Sequence, residues 1–228
     1  MKNTRAIALE TDIEHIAKAL QARHPRFRLM WLVGIETGLR VSDLLSLQVH
    51  HFTPGGSFTL TEGKTRKRKT CQLSPELWKQ IHEFIKNHRL LSGHHLFYSS
   101  GKNKFNPISR QWATRIIAYE AKLRGLCYIG AHSMRKIYAC KLYLSTGEIR
   151  AVQAQLNHQY PSTTLIYLAD LLPGIGQSGK SDADLKPLPE LPRAHPPDAR
   201  RTVPLSRTVR GVISRFADWL FKRRKSIG

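Results

Sequence analysis

The sequence predicts a mainly α-helical domain with one small antiparallel β-sheet, an α+β fold, followed by a compositionally distinct tail. Three observations lead there. Apolar residues recur at helical spacing through most of residues 1–172, whereas only Ser57–Thr61 and Thr70–Leu73 read as strands. No segment repeats at a fixed period. After Leu172 the composition breaks, because seven of the 12 prolines lie beyond it, and residues 173–202 read as an extended Pro-rich linker.

Taken in order, Thr11 or Asp12 can cap a first helix whose apolar face is Ile13, Ile16, Ala17 and Leu20. A second helix starts near Pro25 and stops at Thr37-Gly38, and Arg40–Leu47 is a short amphipathic third. The two strands flank GKTRKRK, a basic hairpin turn. Helical patterning returns in PELWKQIHEFIKNH, where Pro75 suits the first turn, and in SRQWATRIIAYEAKLRG, which Ser109 can cap and Gly125 can end. Further helices are expected over about 131–146, over 148–157 and from Pro161 through STTLIYLADLL. Beyond the linker, 203–228 places Val209, Val212, Ile213, Phe216, Trp219 and Leu220 on one stripe of a basic amphipathic helix, with Ser206 as its cap.

The charge points to a partner. Of 228 residues, 37 are Lys or Arg and 16 are Asp or Glu, a net charge of +21 before any of the 11 histidines is counted. Residues 1–172 hold 25 and 11 of these and 173–228 hold 12 and 5, so both parts carry positive charge. Such an imbalance attracts polyanions, nucleic acid first and an anionic membrane surface second. With 41% hydrophobic residues the chain still has a core to bury, which excludes wholesale disorder. Cys71, Cys127 and Cys140 are odd in number and widely spaced, so neither a disulfide framework nor a Cys-rich zinc site is expected. No signal peptide and no membrane-length apolar run is visible, and a cytoplasmic protein is expected.

Residues 1–172 contain no acidic cluster of the kind a two-metal nuclease needs. Phosphate chemistry without a metal calls instead for cations, a nucleophile, and proton donors and acceptors. Four segments supply them. ETGLRVSDLLSL sets Arg40 at a helix start, and EGKTRKRKT sets Lys64 where a strand meets the turn. GAHSMRKIYA puts His132 and Arg135 at i and i+3 on one helix. LNHQYPSTTLIYL ends one helix at His158 and carries Tyr167 on the next.

Each residue alone has an ordinary structural reading. Arg40 can pair with Asp43, His132 can be a satisfied core histidine, Lys64 can be one charge on a solvated hairpin, and Tyr167 lies among leucines. The ordered set is more specific, and it resembles the tyrosine recombinases, or phage integrase family. Their hallmark is Arg, a hairpin Lys, His-x-x-Arg, then His or Trp with Tyr nine residues later. TGLRVSDLLSL and LNHQYPSTTLIYL resemble two of that family's blocks, and Tyr160 stands at the wrong interval to replace Tyr167. The resemblance covers about residues 10–172.

That resemblance implies the family's catalytic-domain fold and a site-specific DNA recombinase that cleaves and rejoins strands through a 3′-phosphotyrosyl intermediate, with no metal and no cofactor. Tyr167 would be the nucleophile, Arg40 and Arg135 would grip the phosphate, and His158 would add a hydrogen bond. Lys64 would protonate the departing oxygen and His132 would handle the tyrosine proton. Asp43 would support Arg40, while Arg66, Lys67, Arg68 and Lys69 would contact DNA. The implied partners are double-stranded DNA, a homodimer or homotetramer on it, and possible accessory proteins, with no membrane, in a bacterial or phage-encoded, nucleoid-associated setting. Asp43 stands where the family usually has Glu, Lys136 where it often has a second His, and Asn157 where Gly is common before the His. The family usually carries an N-terminal helical clamp, and here the catalytic pattern begins almost at once. The alternatives are a DNA-binding or recombination-accessory protein without catalysis, and relaxation of DNA in the manner of type IB topoisomerases, which share this site. The tail helix is expected to dock on a neighbouring subunit, or else to pack on its own domain, DNA or lipid.

Overall fold

The computed structural model describes residues 10–99 and 103–168. The expected linker at 173–202 and C-terminal helix at 203–228 lie outside the described residues. Chain contacts divide the protein into two units, Met1–Ala139 and Cys140–Gly228, so the expected catalytic stretch 1–172 spans both.

In the first unit, α1 (Glu10–Arg23) buries the expected face of Ile13, Ile16, Ala17 and Leu20. It begins one residue before Thr11, which leaves Glu10 and Asp12 in the first turn, where negative charge suits the exposed amides. His24 caps α2 (Pro25–Thr37), its ring nitrogen accepting from the Arg26 amide at 3.2 Å. The Trp31 indole, fully buried, donates to the Ile13 carbonyl at 3.1 Å and ties the two helices together. Gly38 ends α2 in the left-handed region at φ 62°, and its amide returns to the Gly34 carbonyl.

The third helix, α3 (Val41–Leu45), is shorter than expected because the Leu47 amide tightens onto Leu44 instead of continuing the helix. A 3-10 turn at Val49–His51 follows, which the sequence pattern had not signalled. Strands β1 (Ser57–Thr61) and β2 (Arg68–Gln72) pair antiparallel with Leu60 opposite Lys69 and Phe58 opposite Cys71. The second strand starts two residues earlier than expected and excludes Leu73, whose amide bonds Gly56. Ser74 and Ser109 cap α4 (Pro75–Asn87) and α5 (Arg110–Lys122) through bonds from Leu77 and Trp112 amides.

One contiguous apolar core runs from α1 to the start of α6 (Ala131–Thr146). The approach of α2 to α6 is unusually close. A Cβ on Gly34 would lie 2.4 Å from Met134 Sδ, and one on Gly38 would lie 2.2 Å from the Tyr138 ring. Two glycines four apart thus receive two side chains four apart, and this fixes the height of Arg135 between them.

The second unit contains α7 (Ile149–Gln155), shorter at both ends than the expected 148–157, and α8 (Pro161–Leu168). Asn157, just past the end of α7, has φ 51°. Asn and Gly are the residues that tolerate this left-handed position, which explains how Asn stands where the family commonly has Gly. Among the described residues no helix is long and apolar enough to cross a membrane.

Candidate functional site

The C-terminus of α2 organises the cations of the first unit. The last carbonyls of a helix lack intrahelical partners and carry partial negative charge. Here the Thr37 carbonyl accepts from Lys69 Nζ at 2.8 Å and the Gly38 carbonyl accepts from Arg135 Nη1 at 2.6 Å. Arg135 is only 1% exposed, and Lys69 is also buried. The Lys69 ammonium also stands 5.4 Å from the centre of the Tyr138 ring. Burial holds Lys69 below the ordinary lysine range, with Arg135 and Arg40 acting the same way and Glu62 opposing them.

Arg40 stands at the N-cap position of α3 without a side-chain capping bond, and its guanidinium pairs with Glu62, not with Asp43, at 2.9 Å. Glu62 is fully buried, and its Oε2 also accepts from Thr65 Oγ1 at 2.7 Å. Asp43, likewise buried, accepts the Gly63 amide on Oδ1 at 3.0 Å. Asp43 therefore supports the turn that follows β1, and the carboxylate that holds Arg40 comes from the hairpin. Cations outnumber carboxylates in this group, an imbalance that favours an anionic ligand.

Strand alternation explains both buried charges. On β1 and just beyond it, Phe58, Leu60 and Glu62 face inward, and on β2 Lys69 and Cys71 do so. Lys64, Arg66, Lys67 and Arg68 are exposed around the turn. The Glu62 carbonyl closes that turn by accepting the Arg66 amide at 2.9 Å, and Arg66 takes φ 57°. Lys69 thus differs from the solvated basic run with which it is contiguous in sequence: the two-residue period of β2 turns it into the protein.

His132 stands in the first turn of α6 with an exposed edge. Desolvation first, then Arg135, Lys136 and Arg40, push its imidazole below the ordinary histidine range. Three cations from two distant segments thus bear on one ring, and near neutral pH that ring is an acceptor. Tyr138 is buried, and burial pushes its hydroxyl up to about 12, which disfavours it as a nucleophile.

In the second unit, the His158 ring meets the Tyr167 ring edge-on, with centroids 4.9 Å apart and planes at 63°. His158 Nδ1 and Thr164 Oγ1 share a hydrogen bond of 3.0 Å, and the His158 amide bonds the Gln153 carbonyl at 3.1 Å. Gln153 Nε2 in turn donates to the His158 carbonyl at 3.2 Å. Tyr167 is half-buried, one turn from the buried Thr164 on α8. The spacing of nine residues therefore brings histidine and tyrosine into ring contact across the α7–α8 junction.

The structure brings together Arg40, His132 and Arg135 in one unit and His158 with Tyr167 in the other, and leaves Lys64 on the exposed turn. Sequence reasoning missed Glu62, the anchoring of Lys69, and the Gln153 and Thr164 contacts. The first two were signalled by charged residues at inward positions of an alternating hairpin. Among the described residues, no group of three or more His, Cys, Asp or Glu is arranged to hold a metal ion.

Known proteins resemble this chain in sequence and in fold. Residues 8–171 match the model of the phage integrase family. The probable integrase/recombinase YoeC of Bacillus subtilis is 33% identical over 156 residues, covering 68% of this chain and 84% of that protein. Tyrosine recombinase XerA of Pyrococcus furiosus is 26% identical over 159 residues, covering 69% of this chain but 55% of its relative. Tyrosine recombinase XerC of Neisseria gonorrhoeae is 30% identical, and the match spans 46% of it. The chain thus spans about half the length of these two recombinases. Among solved structures, XerH bound to a palindromic difH substrate in a post-cleavage complex aligns with TM-score 0.59 and 22% identity, over 73% of this chain and 50% of that one. A lambda integrase tetramer bound to a Holliday junction aligns with TM-score 0.57 and 19% identity, over 75% and 50%. The fold is that of tyrosine recombinase catalytic domains, mainly helical with a two-stranded antiparallel sheet. With its family blocks in order and residues 8–171 matched, the chain belongs to the phage integrase family, the tyrosine recombinases.

Proposed function

We propose that this chain catalyses site-specific DNA strand cleavage and rejoining, with double-stranded DNA as substrate and a dimer or tetramer on DNA as the working assembly. The observation that carries the reading is the convergence of Arg40 and Arg135, far apart in sequence, on His132 beside a helix terminus that anchors Arg135. Planar guanidiniums suit the two non-bridging oxygens of a phosphodiester, whose charge grows in the transition state.

In this reading the Tyr167 oxygen attacks phosphorus and the bond to the 5′-oxygen breaks, leaving a 3′-phosphotyrosyl link and a 5′-hydroxyl. His132, neutral near pH 7, accepts the tyrosine proton. Lys64 gives a proton to the departing oxygen, and His158 hydrogen-bonds the phosphate. A 5′-hydroxyl of the partner strand then attacks the phosphotyrosine and restores the tyrosine, so the bond energy is conserved. Arg66, Lys67 and Arg68 contact the DNA backbone, a salt-dependent contribution.

The test uses nicked duplexes carrying candidate sites from the genomic neighbourhood of the coding sequence. A protein–DNA adduct that survives denaturation and vanishes in Tyr167→Phe supports the reading. Tight binding of wild type to its own target without any adduct replaces it with a binding-only role.

A further inference from the structure

Lys69 has no part in the chemistry described above, yet the fold buries it. Removing an ammonium from water costs several kcal/mol, and an apolar side chain of similar length would fill the same volume without that cost. What the charge adds is direction. Lys69 Nζ reaches the Thr37 carbonyl at 2.8 Å and faces the Tyr138 ring at 5.4 Å, so β2 is pinned to the same terminus of α2 whose next carbonyl holds Arg135. Lys69 pairs in register with Leu60, two residues before Glu62 and four before Lys64. Two further bonds, Gly63 amide to Asp43 and Thr65 hydroxyl to Glu62, lock the turn that presents Lys64. Lys64 itself is exposed, so its working position depends on where the hairpin is seated.

We infer that Lys69 is a positioning residue: by seating the hairpin on the carbonyl next to the one that anchors Arg135, it sets where Lys64 delivers a proton relative to the phosphate. The inference rests on the proposed role of Lys64 as proton donor. It separates the two lysines by task, one exposed and giving up the proton, the other buried and holding the hairpin.

The experiment compares two nicked duplexes of the sequence on which wild type forms its adduct, one with an ordinary scissile phosphodiester and one with a 5′-bridging phosphorothiolate. Sulfur leaves as a stable thiolate and needs no proton, so loss of proton delivery is masked on the second substrate. Lys69→Met is expected to slow cleavage of the oxygen substrate about tenfold to a hundredfold, the cost of a misplaced group, and to cleave the sulfur substrate within about twofold of wild type. Lys69→Arg, which keeps a donor, is expected to recover most of the oxygen rate. Equal slowing on both substrates, or no slowing on either, overturns the inference. If Lys69→Met is too unstable to purify, Lys69→Gln, with an uncharged donor, is read by the same criterion. Lys64→Ala runs in parallel: failure of sulfur to rescue it removes Lys64 as donor. Rescue of Lys64→Ala with no rescue of Lys69→Met leaves Lys64 in place and sinks the role of Lys69. Rescue of Lys69→Met alone transfers proton donation to Lys69 itself.

Discussion

The two units hold their functional side chains by different means. In Met1–Ala139, Arg135 and Lys69 are buried and bound to main-chain carbonyls, and Arg40 is paired with a carboxylate that solvent does not reach. In the second unit, His158 is held through side-chain and local main-chain bonds to Thr164 and Gln153, and Tyr167 is half-buried against its ring. The two arginines assigned to the phosphate are thus built into a core, and the assigned nucleophile sits half-buried on α8. Preorganised charge is the costliest part of such catalysis to rearrange during reaction, which gives a physical reason for rigidity on the cationic side. A nucleophile that must attack, remain bonded and leave again has less to gain from complete enclosure.

Substitutions on each side test that contrast. The largest effect is expected from Tyr167→Phe, which should abolish the covalent adduct while leaving DNA binding in a mobility assay nearly intact. Arg135→Ala should lower cleavage by about 10²–10³, the cost of losing a preorganised donor to a developing oxyanion, with much less change in binding. Because that side chain is buried, Arg135→Lys and a thermal melt run beside it to separate chemistry from folding. Comparable losses in binding and cleavage would remove the assignment.

Gly38→Ala comes next. The left-handed backbone and the Tyr138 ring both oppose a methyl group there, at about 1 kcal/mol for the conformation and about 1–3 kcal/mol for overpacking. Denaturant unfolding measures that loss, and cleavage should fall with it because the Arg135 acceptor moves. Gly34→Ala should cost less, since the clash is with the flexible Met134 thioether.

A pH series sharpens the comparison further. With the His132 pKa held below about 6.5, cleavage should stay level as pH falls to that value and decline only when the folded ring protonates. His132→Gln should remove that acid limb. Stability runs in the same direction: the folded state resists protonation, so stability is lost as pH falls from the unfolded value through the folded one. His24, His51, His88 and His95 share this direction, so the acid loss of stability is collective even though the cleavage limb belongs to His132. The smallest effect is expected at Asn157, where Gly should be neutral or slightly stabilising and Ala should lower stability by about 1 kcal/mol, read as a shift in Tm.

Much of this organisation was legible in residue order. Helical spacing located α1, α2, α4, α5 and α6, and Pro75 in a first turn and Ser109 as a cap marked the starts of two of them. Alternation gave β1 its correct bounds, whereas β2 was misplaced because Arg68 and Lys69 resemble turn residues by charge. The pairing register, which a single strand cannot reveal, decided their position. The motifs led to the expectation that Arg40, His132 and Arg135 act together, and Asp43 was expected to support Arg40 because the family it resembles has an acidic residue at that position. The partner from the hairpin, Glu62, becomes visible only when the chain is folded. Main-chain acceptors left no mark at all in the sequence, since every residue carries one.

That last property reaches beyond this chain. Thr37 and Gly38 contribute oxygens that any residue at those positions would also possess, so no acidic side chain has to change in step with Arg135 or Lys69 when the sequence drifts. Covariation between columns of an alignment would therefore understate these two attachments. Anyone grafting the site onto another scaffold would have to transplant the end of a helix, with its glycine and its seat for an aromatic ring, because a list of catalytic side chains would omit the part that holds them.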